Sequence, residues 1–519
     1  MRHSNLLRRL FSLVALLIPL AAEAGSFSLS EQSVSGLGTA YAGGAAQAED
    51  ASTLFFNPAG IVLLNQGELQ LAAHVVIPSA TFNNQGSRYV LPGTRFDGLP
   101  VTGGNGGDAG VTHLLPNFYL TQPVFRNTRY GDLSVGVGFS VPFGLETDYE
   151  PGWVGRYQAL RTKLTTFDIE PTVAYRFLDR ISLGAGLDIQ RASARLTQAI
   201  DFGLAAQPLL GQFYAGLPAA LAAQMVPPAL IGPTIAATQQ AYAKAGFVPG
   251  GLDGVSEVAG DDWNVGFSLG AMLEYRKGND DSFFQEGRIG VSYRSAIDHT
   301  LEGRAEFRGV PAISAPGAPV QFPVPGALQG VFFDQNASAR LDLPDILHLS
   351  IYQRFAHKVA IMGDIGWTHW SRLQSVPIVF QNPGTPTNVL EINYDDAFRF
   401  STGLEWYATQ KLTLRLGFAY DETPIKGPEF RTPRIPDNDR YFLSAGLKWS
   451  VTNFMDFDLG YAHLFVDQPD TELVDSQGHL LRGNYDASVD IVSASLTFRW
   501  GGPRGIAPTS SKEVSGYRK

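Results

Sequence analysis

The sequence contains no cysteine, so it offers no disulfide bond, no thiolate metal ligand and no cysteine nucleophile. Charged residues make up only 17% of the chain, and the 49 acidic residues outnumber the 39 basic ones. This acidic balance argues against nucleic acid as a partner. Long apolar runs are also missing beyond the N-terminus: no later segment offers about 18 consecutive apolar residues, which excludes membrane-spanning helices.

The first 24 residues have the pattern of a secretory signal peptide. Basic residues within the first nine positions precede an apolar core at residues 10–20, and "AEA" at residues 22–24 is an A-x-A cleavage motif. The apolar core is too short for a stable membrane span. We therefore expect the mature chain to begin near Gly25, with a formal charge that moves from -10 to about -12.

Alternation is the pattern that the sequence has in abundance. In "LSVGVGFSV", residues 133–141, apolar residues take every second position, and serine or glycine takes the others. The same period of two recurs in "ISLGAGLDI" (181–189), "WNVGFSLGAMLEY" (263–275) and "KLTLRLGFAY" (411–420). A period of two places each set on one face of a β-sheet. Apolar faces with aromatic ends favour a β-barrel whose outer face contacts lipid.

About fourteen segments carry this pattern, and single-chain outer-membrane barrels have even strand numbers. We therefore predict an all-β chain, a transmembrane antiparallel β-barrel of about 14 strands within residues 65–500. A β-sandwich or propeller is the alternative, but no repeat of 40–50 residues supports a propeller. The predicted strands are 66–77, 111–123, 133–142, 164–177, 181–196, 262–276, 286–300, 345–356, 359–371, 397–408, 411–421, 439–450, 453–466 and 487–500.

The connections between these strands are unequal. Short turns at 177–180, 407–410 and 450–453 are expected on the periplasmic side, and long loops at 78–110, 197–261, 301–344 and 372–396 outside. Loop 197–261 is apolar with few charges, and its pattern predicts two short helices, broken at Pro227-Pro228 and at Gly232-Pro233. An exposed apolar surface is typical of an interaction site, but the helices could equally cap the barrel mouth. Residues 501–519 form a polar C-terminal extension.

Residues 25–64, which precede the first strand, are rich in glycine and alanine. A barrel of about 14 strands has a lumen wider than its own side chains can fill. We therefore expect this segment to fold back into the lumen as a hatch, or plug. A disordered N-terminal segment is the alternative.

Several motifs together resemble the FadL family of outer-membrane long-chain fatty acid transporters, which also includes aromatic-hydrocarbon uptake proteins. The blocks occur in order along nearly the whole mature chain. They are "SGLGTAYAGGAAQAEDASTLFFNPAGI", "GFSVPFGLETDYEPGWVGRY", "RIGVSYRSAIDHTLEGRAEF", "LPDILHLSIYQRF", "IGWTHWSRLQ", "LRLGFAYDETPI" and "RIPDNDRYFLSAGLKW".

The resemblance implies a monomeric barrel in the outer membrane of a Gram-negative bacterium, surrounded by lipid and lipopolysaccharide. A hydrophobic ligand would bind at an apolar extracellular site, then in a lumen pocket, and leave sideways at a kink in the third strand. On that pattern the hatch element below the pocket contains Asn57, Pro58 and Ala59.

The same pattern places the kink at Pro142, Phe143 and Gly144, where the third run of alternation stops. Proline lacks a donor for the strand ladder and glycine weakens a strand, so a gap in the wall is plausible on physical grounds as well. An ordinary strand end at the barrel rim is the alternative.

A fatty acid carboxylate would want a charge-assisted partner in the pocket. Near the places where the family's carboxylate-binding basic residues are expected, this chain has the uncharged residues Gln198 and Pro377. The ligand could therefore instead be a neutral aromatic or aliphatic hydrocarbon. Each candidate cation could also belong to a charged lumen network with acids such as Asp168, Glu170, Asp456 and Asp458. The candidates are Arg191 and Arg195 at the outer end of a strand, and Arg294, Arg399 and Arg415 with lumen-facing parity.

Sequence motifs that would indicate catalysis, metal binding or phosphate binding are weak or absent. The G-x-S-x-G sequence at residues 266–270 lies within sustained alternation rather than at a strand-to-helix elbow. The nine histidines have no zinc-binding spacing, and no phosphate-binding loop opens a helix. We therefore expect a passive transporter of hydrophobic compounds that has no enzymatic activity, metal or cofactor. A hydrophilic porin and an outer-membrane lipid hydrolase are less favoured alternatives.

Overall fold

The computed structural model describes residues 26–128, 131–277, 283–385 and 387–501. The predicted signal peptide, residues 1–24, and all but the first residue of the predicted extension 501–519 lie outside these described residues. The described chain forms a closed antiparallel barrel of 14 strands, as the alternation predicts. The first and last strands pair from Gly67↔Trp500 to Asn84↔Gly483, which closes the barrel.

Each strand pairs with its neighbours in sequence, and five strands are interrupted once. Two short strands, Arg88–Tyr89 and Asp470–Val474, add to the outer end of the last strand. The barrel strands are β1 (Gly67–Asn84), β2 (His113–Thr128), β3 (Gly131–Ser140 and Gly144–Asp148), β4 (Arg161–Phe177), β5 (Ile181–Asp201), β6 (Asp253–Lys277), β7 (Phe284–Arg294 and Ile297–Arg308), β8 (Gln335–Leu343 and Ile346–Phe355), β9 (Val359–Thr368 and Ser375–Phe380), β10 (Asn388–Glu391 and Ala397–Tyr407), β11 (Leu412–Asp421), β12 (Arg440–Thr452), β13 (Met455–Val466) and β14 (His479–Trp500).

The wall of the barrel is apolar outside and polar inside. Leu183 and Phe267 expose 49% and 46% of their surface, whereas their neighbours Ser182 and Ser268 are buried. This arrangement is the reverse of that in a water-soluble protein, and it is stable only where lipid covers the outer face.

The strands extend further toward the long-loop end than the alternation predicts. β6 begins at Asp253 rather than 262, β8 at Gln335 rather than 345, and β14 at His479 rather than 487. At this end the outward positions carry charged residues such as Glu302 and Arg304, which are exposed on β7. The hydrophobic alternation therefore stops where the lipid does, while the hydrogen-bonded ladder continues.

A helical hairpin covers part of the long-loop end. The first of its long helices ends at Ala223 and the second begins at Pro228, in agreement with the predicted break at Pro227-Pro228. The break predicted at Gly232-Pro233 is wrong, because the second helix runs through both residues. Pro233 lies in the second turn, where its missing N–H removes a single helical hydrogen bond.

The helices are short apart from this hairpin. Within the described residues, no helix has the length and apolar character needed to cross a membrane. The helices are α1 (Val34–Leu37), α2 (Gly44–Gln47), α3 (Thr53–Phe56), α4 (Phe202–Ala205), α5 (Gln207–Ala223) and α6 (Pro228–Lys244), with 3₁₀ turns at Pro58–Leu63 and Trp370–Arg372.

Residues 26–64 lie inside the barrel, because they touch opposite sides of its wall. α1 contacts β12, β13 and β14, α2 contacts β7 and β8, and the 3₁₀ turn after α3 contacts β4, β5 and β6. Glycines on the inner wall allow this approach. A Cβ atom at Gly290 would lie 1.8 Å from the Ala45 carbonyl oxygen, and one at Gly184 would lie 2.3 Å from the Ala59 nitrogen.

Gly290→Ala should therefore loosen the N-terminal segment without disturbing the wall. Overpacking of a tight interior costs about 1–3 kcal/mol, which corresponds to roughly 5- to 150-fold faster amide exchange at residues 43–47. Hydrogen exchange with mass spectrometry on the detergent-purified protein measures this. Gly363→Ala is the matched control, because its Cβ would meet Ile351 and Ser401 only at 3.6 and 3.8 Å. Equal exchange in both variants contradicts the prediction.

Candidate functional site: two cavities beside a break in the wall

Strand β3 is interrupted at Val141, Pro142 and Phe143. Its register against β4 shifts by one residue here, from Ser140↔Asp168 to Gly144↔Thr165. Three residues of β3 therefore oppose two of β4, which is a β-bulge. Thr166 stabilises the bulge, since its hydroxyl accepts the Phe143 N–H at 3.0 Å and its own N–H donates to the Phe143 carbonyl at 3.0 Å.

The bulge coincides with a gap in the pairing of β2 and β3. The ladder between these strands starts at Phe118↔Phe139 and runs toward the short turns. On the other side of the bulge, Gly144–Asp148 pairs with β4. Among the described residues, a single isolated bridge, between Gly110 and Thr147, joins this part of β3 to the chain just before β2. The strand ladder is therefore missing between β2 and the bulge.

The N-terminal segment supplies the backbone partners that β2 does not. Ser28 forms a β-bridge with Phe143. The Leu29 N–H donates to the Pro142 carbonyl at 2.8 Å, and the Gly144 N–H donates to the Phe27 carbonyl at 3.0 Å. Buried backbone groups need such partners, so this segment seals the inner side of the gap.

The Gln32 side chain connects the two separated strands. Its amide nitrogen donates to the Val141 carbonyl at 2.6 Å, and its oxygen accepts the Val141 N–H at 3.2 Å. The same oxygen accepts the side-chain N–H of Asn117, on β2, at 2.6 Å. Gln32 therefore takes the place of a missing rung of the ladder.

A lower cavity of about 480 Å³ lies at this gap. Leu114, Phe139 and Phe167 line it from the outward faces of their strands, and Phe442 and Ile491 line it from the lumen. The cavity is therefore continuous from the lumen to the outer face of the barrel.

An upper cavity of about 630 Å³ lies nearer the long loops, within the range of about 300–1,000 Å³ that is usual for ligand pockets. Its lining is mainly apolar, with Leu196, Leu301 and Leu341 among the contributing residues. Leu145, Leu164 and Ile435 line both cavities.

Phe27 lies at the boundary between the two cavities. It is buried, and its ring centroid lies 4.7 Å from that of Trp370 and 6.1 Å from that of Phe143. Ser26 and Ser28, on either side of it, line the lower cavity, whereas Phe27 lines the upper one. Residues 26–29 therefore form a partition between the two cavities.

Arg434 is the cation of the upper cavity. It is buried, and donates to the Thr162 hydroxyl at 3.0 Å and to the Gln198 side-chain oxygen at 2.7 Å. Its Nε atom has no hydrogen-bond partner, and no carboxylate of the described residues lies within ion-pair distance. Burial lowers the pKa of Arg434 to about 10, so it stays charged at neutral pH. A buried cation without an anion is unfavourable, which favours an anionic ligand here.

The five arginines proposed from the sequence as carboxylate partners lie in three different environments: the lumen, the lower cavity and the outer face of the barrel. Arg294 and Arg415 each contact three carboxylates in the lumen, at 2.6–3.3 Å and 2.6–2.8 Å. Arg399 lines the lower cavity and pairs with Asp421 at 3.5 Å. Asp168, Glu170 and Asp458 are among the partners of Arg294 and Arg415, and Asp456 pairs with Lys448 and Arg499.

Arg191 and Arg195 do not line either cavity, contrary to the role suggested for them. They share the odd positions of β5 with the exposed Leu183 and Leu187, and so face outward, where they pair with Asp261 and Glu257. Arg434 was not found from the sequence, because it lies in a long loop without periodicity. Its contact with Gln198, however, places it where a basic residue was expected.

The Asn57-Pro58-Ala59 motif fixes the N-terminal segment to the wall. The Asn57 amide donates to the carbonyls of Ala45 at 2.6 Å and of Ala271, on β6, at 3.1 Å. Its oxygen accepts the Ala59 N–H at 3.0 Å and so caps the following 3₁₀ turn. Pro58 and Ala59 lie against the inner-wall glycines Gly184 and Gly270.

The serine of the G-x-S-x-G sequence has a structural position. Ser268 lies inside β6, with no strand-to-helix elbow, and its hydroxyl donates to the buried Glu170. Within the described ranges, no group of three or more histidines or acidic residues is arranged to hold a metal ion.

Gln32→Ala should leave the Val141 and Asn117 groups without partners. Each buried orphan costs about 1–3 kcal/mol, so amide exchange at residues 26–32 and 140–144 should rise at least 10-fold. Gln122→Ala is the control, because Gln122 is exposed and bonds only to the Pro123 carbonyl and the Trp500 indole N–H among the described residues, which are not part of the bulge. If exchange rises equally in both variants, or in neither, Gln32 does not connect the strands.

Known proteins share this architecture. A family model described as "Outer membrane protein transport protein (OMPP1/FadL/TodX)" matches residues 15–500. The long-chain fatty acid transport protein of Escherichia coli K12 is 28% identical over 434 residues, covering 83% of this chain and 85% of that protein.

Two solved structures share the fold. A FadL homologue of Pseudomonas aeruginosa has a TM-score of 0.72 at 23% identity, covering 92% of this chain and 100% of that one. The Ralstonia pickettii toluene transporter TbuX has a TM-score of 0.55 at 18% identity, covering 89% and 98%. The family match spans the barrel, the N-terminal segment and both cavities. This chain therefore belongs to the OMPP1/FadL/TodX family of outer-membrane transport proteins.

Proposed function

We propose that this protein moves long-chain fatty acids, or related hydrophobic compounds, passively across the outer membrane. The ligand enters the upper cavity from the long-loop side, passes the Phe27 partition into the lower cavity, and leaves sideways between β2 and the bulge of β3. The observation that carries the proposal is the lower cavity, whose lining joins lumen residues such as Phe442 to the outward-facing Leu114 and Phe139.

Arg434 is the residue that gives the upper cavity a preference for ligands with a carboxylate group. A carboxylate in the upper cavity can take up the unpartnered Nε–H of Arg434, and charge-assisted hydrogen bonds of this kind are the strong ones. Each methylene of the tail that leaves water contributes about 0.8 kcal/mol, so burial alone can drive transfer.

The hatch stays largely in place while its first residues move. Asn57 binds β6, and Glu49 pairs with Arg415 at 2.6 Å and with Lys448 at 3.1 Å, so residues 33–64 are firmly held. By contrast, residues 26–32 contact the bulge through a few hydrogen bonds. Their displacement would remove Phe27 from between the cavities and open the gap at Pro142.

A single chain contains the whole route, so we expect the monomer to be the working unit. The exposed charged residues above the apolar band, such as Arg195 and Arg304, would face the headgroups of lipid and lipopolysaccharide. This location suits an exit into the membrane.

Arg434→Leu should weaken palmitate binding about 10- to 150-fold, the equivalent of losing a charged hydrogen bond of about 1.5–3 kcal/mol. Binding of cetyl alcohol, which has the same tail and no charge, should change little. Equilibrium binding of both labelled ligands to nanodisc-embedded protein measures this. Arg482→Leu, which removes an exposed arginine near Glu472, is the control.

Neutral hydrocarbons are the second candidate ligands, favoured by the mainly apolar lining of the upper cavity. In that case Arg434→Leu leaves palmitate affinity unchanged, and toluene or hexadecane competes with palmitate for the site.

Gly144→Trp should block the exit. A side chain at Gly144 points toward Leu29, whose Cδ1 atom would lie 2.8 Å from the new Cβ, and into the lower cavity. Uptake of labelled palmitate by cells should fall at least 10-fold, while palmitate affinity at the upper cavity stays within about 2-fold. Gly152→Trp is the matched control, because a Cβ there meets no atom within 4 Å. Normal uptake by the Gly144 variant would exclude this exit.

A further inference from the structure

A buried carboxylate of the N-terminal segment lines the lower cavity. This residue is Glu31, which exposes only 6% of its surface. It makes no ion pair among the described residues, and Arg399 and Arg440 attract it only from beyond ion-pair distance. A buried carboxylate without a close cation is unfavourable. Glu31 is therefore a group for which a ligand in the cavity could supply the missing partner.

The two arginines at this end of the cavity are already engaged. Asp421 pairs with Arg399 at 3.5 Å and with Arg440 at 2.8 Å. Asp437 lies 3.7 Å from Arg440 as well. All of these residues line the lower cavity together with Glu31. Three carboxylates therefore share two arginines at the lumen end.

The charged groups at the outward end of the cavity are paired with one another. His113 and Lys163 line this end, and they contact Glu146 at 3.1 and 2.7 Å. Arg161 contacts the same carboxylate at 2.5 Å. These basic groups have a carboxylate of their own, so the excess negative charge stays at the lumen end, beside Glu31.

The two cavities therefore favour opposite charges. The upper cavity contains a buried cation, Arg434, without a carboxylate, whereas the lower cavity contains a buried carboxylate, Glu31, without a close cation. A ligand carboxylate that approaches Glu31 is repelled, because like charges interact strongly where water is scarce. One proton shared between the two carboxyl groups removes this repulsion and forms an O–H···O⁻ hydrogen bond, which is one of the strong kinds.

We propose that Glu31 determines which head groups enter the lower cavity: it accepts a hydrogen bond from the ligand, so an acid enters only after the pair of carboxyl groups has taken up one proton. The proton comes from the surrounding water, and no other bond is made or broken. An alcohol donates its own O–H and needs no added proton. This inference rests on the proposed route, and it places the selection on residues 26–32, the segment that moves when the exit opens.

The test measures transfer of labelled ligands from buffer into the lipid of phosphatidylcholine vesicles that contain the full-length protein, between about pH 6 and pH 9. The ligands are palmitate, cetyl alcohol and hexadecanesulfonate. The sulfonate keeps its charge throughout this range, so any pH dependence of its transfer comes from the protein. Vesicles without protein supply the background rate.

Two variants change Glu31 itself. Glu31→Gln removes the charge and supplies an N–H donor, whereas Glu31→Asp keeps the carboxylate. Glu302→Gln is the matched control, because it makes the same change at an exposed position on the outer face of β7. Heat-modifiable migration on gels verifies that each barrel folds. Palmitate affinity within about 2-fold of the wild type verifies that the Arg434 site is intact.

In the wild type, sulfonate transfer should fall up to about 10-fold for each pH unit once the proton on Glu31 is lost, while cetyl alcohol transfer stays constant. Glu302→Gln and Glu31→Asp should keep this dependence on pH. In Glu31→Gln, sulfonate transfer should be independent of pH and, at about pH 9, at least 10-fold faster than in the wild type. Palmitate should follow the sulfonate in the wild type, because it needs the same proton.

Sulfonate transfer that is independent of pH in the wild type, or that keeps its pH dependence in Glu31→Gln, would overturn this inference and leave the route intact. If the wild-type protein transfers no cetyl alcohol above background, the proposed route itself is wrong, and this inference fails with it.

Discussion

The structure depends on one constraint: a peptide group that faces lipid needs a hydrogen-bond partner within the protein. Pairing of each strand with its neighbours, closed by β1 with β14, meets most of this need, but at the bulge of β3 the ladder to β2 is missing. There the chain's own N-terminal segment replaces the absent strand, through Leu29 and the side chain of Gln32. The N-terminal segment therefore supplies hydrogen bonds at the same place where the strand ladder is missing. Any movement that exposes the exit also breaks these backbone hydrogen bonds.

The alternation in the sequence predicted all fourteen strands because lipid imposes a strict rule on the outward positions. The serine and glycine residues beside Leu183 and Phe267 were correctly assigned to the lumen. Beyond the lipid this constraint no longer applies, so the alternation predicts loops where the outer extensions of β6, β8 and β14 carry outward-facing charged residues. The pattern also predicts a helix end at Pro233, but a proline early in a helix removes only one hydrogen bond, and the helix continues.

The site was harder to predict, because its parts come from segments far apart in sequence. The bulge at Pro142 had a local signal, since the alternation stops there and proline lacks a donor. Arg434 had none: its importance comes from its burial against Thr162 and Gln198, which no spacing reveals. Parity within β5 could have excluded Arg191 and Arg195 at once, because both share the register of Leu183 and Leu187.

The helical hairpin has a consequence for the environment in which this protein operates. From Phe202 to Ala243 the chain carries no charged side chain, and Met225 at its tip is 90% exposed. A surface without fixed charge exerts no field to be screened by salt. Molecules that meet this hairpin therefore find no fixed charge along it, so their contact with it rests on apolar surface and not on an attraction that salt would screen.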